Sequence, residues 1–352
     1  MSLLFHGGDL QTASIIYGRN PDDWLDLSTG INQYSYPIPP IAAAAWQRLP
    51  YLNPQLTDAA AGYYGQHHCL ASSGSQPIIE LLPAVLPKLG SQKPTWLPDI
   101  GYQEHKKAWS NDASIQTYDG LSSLNATQQI NAALEQGKLG HLIIINPNNP
   151  TAERFGIDQL YQWSQRLAAH NGYVVIDEAF IDTHPIASVL TQRLADNMVV
   201  LRSVGKFFGL AGMRLGFTFA EAPILDQLSI KIGPWSVNGP AQMVAIAALE
   251  DEQWQAQMRQ QLTTEQPLQL ALWHKLMADK GATLAANHEL FRSFVMPTEL
   301  AHHLHQSAAK NGILLRPVDI NSSTSLLRFG NIDLNQSDAR KRCQTWLQQE
   351  FQ

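Results

Sequence analysis

The stretch HLIIINPNNPT, residues 141–151, decides how this chain is read. A short unbroken apolar run stops at a proline-stiffened turn, the pattern of a strand buried on both faces that delivers a loop to the edge of a parallel sheet. The same event recurs in YVVID (173–177), which ends on Asp177, and in MVVLRSV (198–204), which carries Ser203 to a point just before Lys206. RLGFTFA (214–220) is a further strand candidate, and between the runs lie helical segments such as Asp158–His170, with Leu160, Trp163 and Leu167 on one stripe. Alternation of this kind predicts an α/β fold with a mostly parallel sheet covered by helices on both faces. Asn149, Asp177, Ser203 and Lys206 then arrive at one rim of the sheet, where ligands gather in such folds.

Working outward, residues 1–35 are rich in Gly and Pro with one strand-like segment, WLDLS (24–28), and read as an N-terminal arm joining a small domain. Residues 36–238 form the large domain. After Pro240 the pattern changes to long Gln/Ala/Leu-rich helical sequence up to about Lys280, then to the short strands FRSFVM (291–296), ILLRPV (313–318) and LLRFG (326–330). Residues 239–352 are therefore read as a smaller α+β domain.

The bulk composition narrows the function. The 352 residues hold 24 Lys+Arg against 30 Asp+Glu and 44% hydrophobic residues, which suits a folded soluble protein and gives no basic, aromatic-interleaved footprint for nucleic acid. No apolar run reaches membrane-span length, and Cys69 and Cys343 form no ligand or CxxC spacing. The start MSLLF has no basic leader region, so a cytoplasmic location is expected. His67, His68 and Cys69 are neighbours whose side chains diverge, and the AHHLH run (301–305) is read as structural, so no metal is expected. GK at 205–206 lacks the glycine spacing and following Ser/Thr of a phosphate loop, which excludes a P-loop NTPase.

In SVGKFFGLAGMRLG (203–216), Lys206 stands among small and apolar residues and Arg214 follows eight positions later. A lysine in a dry setting has a lowered pKa and becomes a usable nucleophile toward an aldehyde. A carboxylate at Asp177 would pair with a protonated pyridine nitrogen, as pyridoxal phosphate requires. Alone, a lysine is usually a surface cation, DEAF (177–180) a helix cap and NPNNPT a turn; together and in this order they are specific.

With these residues the chain resembles the fold-type I pyridoxal-phosphate enzymes of the aspartate aminotransferase superfamily over nearly its whole length. The resemblance implies that Lys206 is the Schiff-base lysine, that Asp177 lies on the ring nitrogen and Asn149 on the ring oxygen, and that Ser203 and Arg214 bind phosphate. It also implies that Gly74, Ser75 and Gln76, in SSGSQPIIELL (72–82), present backbone N–H groups at a helix N-terminus to that phosphate. Tyr102, in GYQEHKKA (101–108), would stack on the ring, and Tyr51 would reach the phosphate of a neighbouring subunit, which implies a homodimer with shared sites. Two positions depart from the pattern: Gly205 replaces a Ser or Thr that many relatives carry, and Phe180 replaces a tyrosine.

HGGDL (6–10), LDLSTGIN (25–32), RSVGKFFGLAGMRLGF (202–217) and LLRFGN (326–331) resemble, more narrowly, the threonine-phosphate decarboxylases of cobalamin biosynthesis, close relatives of histidinol-phosphate aminotransferases. That resemblance implies a phosphorylated amino acid substrate whose carboxylate is clamped by Arg328, with Gly30, Ile31 and Asn32 at the same end and His6 as a candidate for its phosphate. Arg340 and Arg342 are read as helical surface residues. A phosphate-substrate aminotransferase shares nearly all of these cofactor residues and is the rival reading.

Overall fold

The computed structural model describes residues 6–110 and 114–350; the apolar start read at residues 1–5 lies outside them. The chain divides into two compact units, one of residues 35–257 and one of residues 1–34 with 258–352.

After the two-residue strand β1 (Leu25–Asp26), which belongs to the second unit, the first unit's sheet is built from seven strands. They are β2 (Cys69–Ser72), β3 (Thr95–Pro98), β4 (Ile115–Tyr118), β5 (His141–Ile145), β6 (Val174–Asp177), β7 (Met198–Ser203) and β8 (Gly216–Phe219). Their order across the sheet is β2-β8-β7-β6-β5-β3-β4, and only β8 runs antiparallel to its neighbours. All five residues of β5 and all four of β6 are buried, as continuous apolar runs covered on both faces should be. One face packs Ile143, Val175, Val199 and Leu201 against Ile78, Leu82, Val85 and Leu86 of the helix Gln76–Leu89. The helix Ile157–Ala168 buries Leu160, Trp163 and Leu167, the stripe read from its period.

The division between the units falls beyond the compositional change at Pro240. Helix Gly239–Glu250 stays with the first unit because its buried side packs on helix Pro54–Tyr64. Gln242 fastens it: its amide donates to the carbonyls of Val237 (3.0 Å) and Tyr51 (3.3 Å), and its oxygen accepts from the Asn53 amide (2.8 Å).

The second unit holds β9 (Thr283–Asn287), β10 (Phe291–Pro297), β11 (Ile313–Leu314), β12 (Arg316–Asp319) and β13 (Thr324–Gly330). Four of these form an antiparallel sheet in the order β12-β13-β10-β9. ILLRPV is therefore not one strand: β11 pairs in parallel with β1, while β12 pairs with β13. Trp273, Phe294, Phe329 and Trp346 anchor the core of this unit. The arm contains a helix, Leu10–Tyr17, that the glycine-rich sequence concealed. It is capped by the Asp9 carboxylate accepting from the Thr12 amide at 3.0 Å and closed by Gly18 at φ 62°. Ala13 and Trp24 of the arm pack on Ala309 and Leu314.

Candidate active site

In the first unit, β6 and β7 end side by side at one rim of the sheet, where Asp177 opposes Leu201 and the chain runs on to Ser203 and Lys206. Beyond that rim, Gly74, Ser75, Gln76, Tyr102, Asn149, Asp177, Phe180, Ser203, Lys206 and Arg214 line one cavity of about 100 Å³. All of the proposed cofactor residues except Tyr51 meet there. A larger groove of about 880 Å³ lies where β6 and β7 begin, lined by residues such as Asp158, Tyr161, Arg193 and Asn197. It contains no lysine, and we assign the chemistry to the smaller cavity.

The geometry explains several residue choices. Gly74 has φ 83°, a left-handed conformation that favours glycine, and the Arg214 guanidinium lies against its open face. The turn leads into a 14-residue helix, Gln76–Leu89, whose first amides have no intrahelical partner and favour an anion. Arg214 is itself left-handed, at φ 54°. Gly205 is explained by space: a Cβ there would come within 2.8 Å of the Ala211 Cα.

Asp177 is buried, and its Oδ2 lies 2.9 Å from Nε2 of His105, while Oδ1 accepts from the Ala179 amide at 3.1 Å. His105 was missed in the sequence, although GYQEHKKA was singled out for Tyr102. The missed signal is the three-residue spacing that brings the two together at the start of helix Gln103–Ser110, where their rings meet edge to face. The Tyr102 hydroxyl donates to Oε1 of Gln76 at 3.0 Å, and the Gln76 amide donates to Glu104 at 2.9 Å, which fixes the amide's orientation. Phe180 is buried with its ring centroid 5.5 Å from the Lys206 amine. Behind the rim, Arg202 is fully buried between Glu178 at 3.0 Å and Asp182, and lies over the Tyr64 ring.

This donor set suits pyridoxal phosphate: an amine, a buried carboxylate held by an imidazole, a guanidinium and a helix N-terminus surround one cavity. Tyr51 does not line it; it is 72% exposed and meets Trp235 edge to face.

The proposed substrate residues gather in the second unit. Arg328 on β13 and Arg316 on β12 are direct register partners, so both guanidinium stems leave one face of the sheet. Arg328 is buried and donates to the carbonyl of Ser28; burial, followed by the charge of Arg316, pushes it well below the usual arginine range, against the pull of Asp26. His6 and Arg316 line a small cavity with Gly7, Ser28, His305 and Leu314. Arg316 was visible in ILLRPV but passed as an ordinary strand residue, because only the register opposite Arg328 gives it meaning. Gly30 and Asn32 are buried and Ile31 half-buried; Asn32 Oδ1 accepts from the Tyr34 amide at 3.1 Å and so shapes the turn. Arg342 donates to the carbonyls of Asp23 and Gly312, a structural role tying the arm to the last helix. Among the described residues no cluster of His, Cys, Asp and Glu is arranged to hold a metal.

Comparison with known proteins agrees with this arrangement. The chain is 38% identical over 325 residues to a threonine-phosphate decarboxylase of Pseudomonas aeruginosa, covering 92% of each protein. It superposes with a TM-score of 0.76 on the histidinol-phosphate aminotransferase of Clostridium acetobutylicum, at 20% identity and covering 93% of this chain and 99% of that one. The histidinol-phosphate aminotransferase of Sinorhizobium meliloti, solved in complex with pyridoxal-5'-phosphate, gives the same TM-score of 0.76 at 18% identity, covering 99% of this chain and 95% of that one. Residues 23–341 match the model of the aminotransferase class I and II family, and the chain belongs to that family.

Proposed function

We propose that this protein is a pyridoxal-phosphate-dependent carboxy-lyase that converts L-threonine O-3-phosphate to (R)-1-amino-2-propanol O-2-phosphate and CO2; its Pseudomonas relative is named a threonine-phosphate decarboxylase. The observation that carries the reading is the pairing of Arg316 with Arg328 across β12 and β13, with His6 on the same small cavity as Arg316. Like charges directly opposite one another destabilise an antiparallel pair, so two arginines at one register position suit a ligand that is itself doubly anionic.

The residues then divide the work. Lys206, Asp177, Asn149, Ser203, Arg214 and the Gly74–Gln76 turn would hold the cofactor, which supplies an acceptor for the electron pair left when the Cα–carboxylate bond breaks. Lys206 offers the amine for covalent attachment and afterwards a proton for Cα. Asp177, fixed by His105, keeps the pyridine nitrogen protonated. Arg328 holds the substrate carboxylate through its planar fork, and Arg316 with His6 takes the phosphate. Gripping the substrate at both ends sets which bond to Cα is aligned for cleavage, so binding energy is used for orientation.

Holoenzyme incubated with L-threonine O-3-phosphate and no keto acid should release CO2, and borohydride should fix the cofactor on Lys206, read by peptide mass. The rival is a phosphate-substrate aminotransferase, which would use nearly the same cofactor residues. If histidinol phosphate and 2-oxoglutarate exchange the amino group efficiently while threonine phosphate yields no CO2, the rival stands.

The active unit in this reading is a homodimer that presents Tyr51 to its neighbour. Tyr51, Trp46, Leu49 and Leu52 are all at least half exposed and Trp235 is 45% exposed, an apolar surface that suits a second copy. A catalytically active monomer in sedimentation would overturn this. Cys69 and Cys343 are both free thiols, which suits the cytoplasm, and among the described residues no helix is long and apolar enough to cross a membrane.

A further inference from the structure

Ser28 makes separate contacts in the second unit through its side chain and through its backbone. Its amide and hydroxyl both donate to Oδ1 of Asp26, at 2.9 and 2.6 Å. With its proton committed there, the hydroxyl oxygen accepts the Gly8 amide at 2.7 Å. Its carbonyl accepts from Nη2 of Arg328. The N-terminal turn lies directly on this residue: a Cβ at Gly7 would stand 2.2 Å from the Ser28 carbonyl oxygen, and Gly8 turns with φ 85°. The loop is in turn pinned to the arginine strand, because the Gly330 amide donates to the Leu27 carbonyl at 2.7 Å.

The turn that carries His6 and the strand that carries Arg328 thus meet through one residue. Resting on the reading of His6, Arg316 and Arg328 given above, we propose that Ser28, held by Asp26, is a positioning and specificity-determining residue. It locks the His6–Gly8 turn at a fixed distance from the carboxylate-binding arginine, and so sets how strongly a phosphorylated amino acid is preferred over its unphosphorylated counterpart. The two glycines after His6 are required because the lock is a backbone contact. The hydroxyl serves the phosphate end and the carbonyl serves the carboxylate end, so substitution at Ser28 separates them.

The test uses holoenzyme. Ser28→Ala removes the acceptor of the Gly8 amide and keeps the carbonyl that receives Arg328. The expected result is a loss of about tenfold in kcat/KM for L-threonine O-3-phosphate, the scale of one lost hydrogen bond in a charged site, with L-threonine changed by no more than about twofold. Hydrogen exchange across residues 6–10 should accelerate. In a His6→Ala background the same substitution should cause no further loss, which a merely structural role would not produce. Gly7→Ala should reproduce the selectivity loss by pushing the turn off Ser28. Equal losses for both substrates, full additivity with His6→Ala, or unchanged exchange would overturn the proposal. If the unaltered enzyme prefers L-threonine O-3-phosphate to L-threonine by no margin at all, the functional reading fails instead, and the exchange measurement alone then decides whether Ser28 holds the turn.

Discussion

Nε2 of His105 donates to Oδ2 of Asp177 across 2.9 Å with both side chains buried, and Nδ1 of the same imidazole has no hydrogen-bond partner among the described residues. The imidazole thus holds the carboxylate with one hydrogen bond while its ring packs edge to face on Tyr102. His105→Phe should leave the fold intact and lower kcat by roughly 10- to 100-fold, the scale of a lost hydrogen bond to a charged group. A His105→Gln variant, whose amide can donate, should recover part of the loss. Steady-state kinetics on both variants checks this, and unaltered kcat in His105→Phe would refute it.

Gly205→Ser should destabilise the protein. The new Cβ would stand 2.8 Å from a backbone carbon of Ala211, so the lysine loop must shift. A cost of about 1–3 kcal/mol is expected from such overpacking, measured as a lower urea midpoint. An unshifted midpoint would mean that the loop yields freely.

Arg202 is enclosed by Glu178 and Asp182 directly behind Asp177 and Ser203. Arg202→Met should lower stability by about 3–5 kcal/mol, because it strands two buried carboxylates. Arg202→Met combined with Glu178→Gln and Asp182→Asn should recover much of that loss, since no charge is then left unpaired. Equilibrium unfolding of the single and triple variants provides the comparison, and a triple variant no more stable than the single would count against the account.

His141 gives a pH dependence with a definite sign. Burial pushes its imidazole down to about 4, only partly opposed by the Ser91 carbonyl. The unfolded chain takes up this proton near pH 6.5 and the folded protein only near pH 4, so stability is full above pH 6.5 and falls as acid is added. Across the whole window the loss is about 3 kcal/mol. His141→Gln should flatten the curve of stability against pH between 6.5 and 4.5 by roughly one proton. An unchanged slope would rule His141 out as its source.

The strands of the first unit were legible because sheets covered on both faces demand uninterrupted apolar runs, and HLIII, VVID and MVVLRS are such runs. The lysine loop was legible because charge inside apolar sequence is conspicuous. What stayed hidden was whatever depends on partners distant in the chain. β9 reads TLAAN, with little β-branching, and exists because β10 pairs with it. The direction of β8 follows from its seat between β2 and β7. His105 and Arg316 look ordinary until Asp177 and Arg328 are placed beside them.

The seat of β8 also governs how far the cofactor cavity can change. Ser72, at the end of β2, and Ser203, at the end of β7, are both register partners of Gly216. A Cβ on that glycine would stand 2.7 Å from the Arg202 carbonyl oxygen, 2.9 Å from the Gly74 carbonyl carbon and 3.0 Å from the Ser75 nitrogen. The Gly74–Gln76 turn and the end of β7 that leads to Lys206, remote in sequence, are thus wedged against the same single hydrogen atom. A side chain at position 216 would press on both at once, so this one glycine keeps two walls of the cavity in place together.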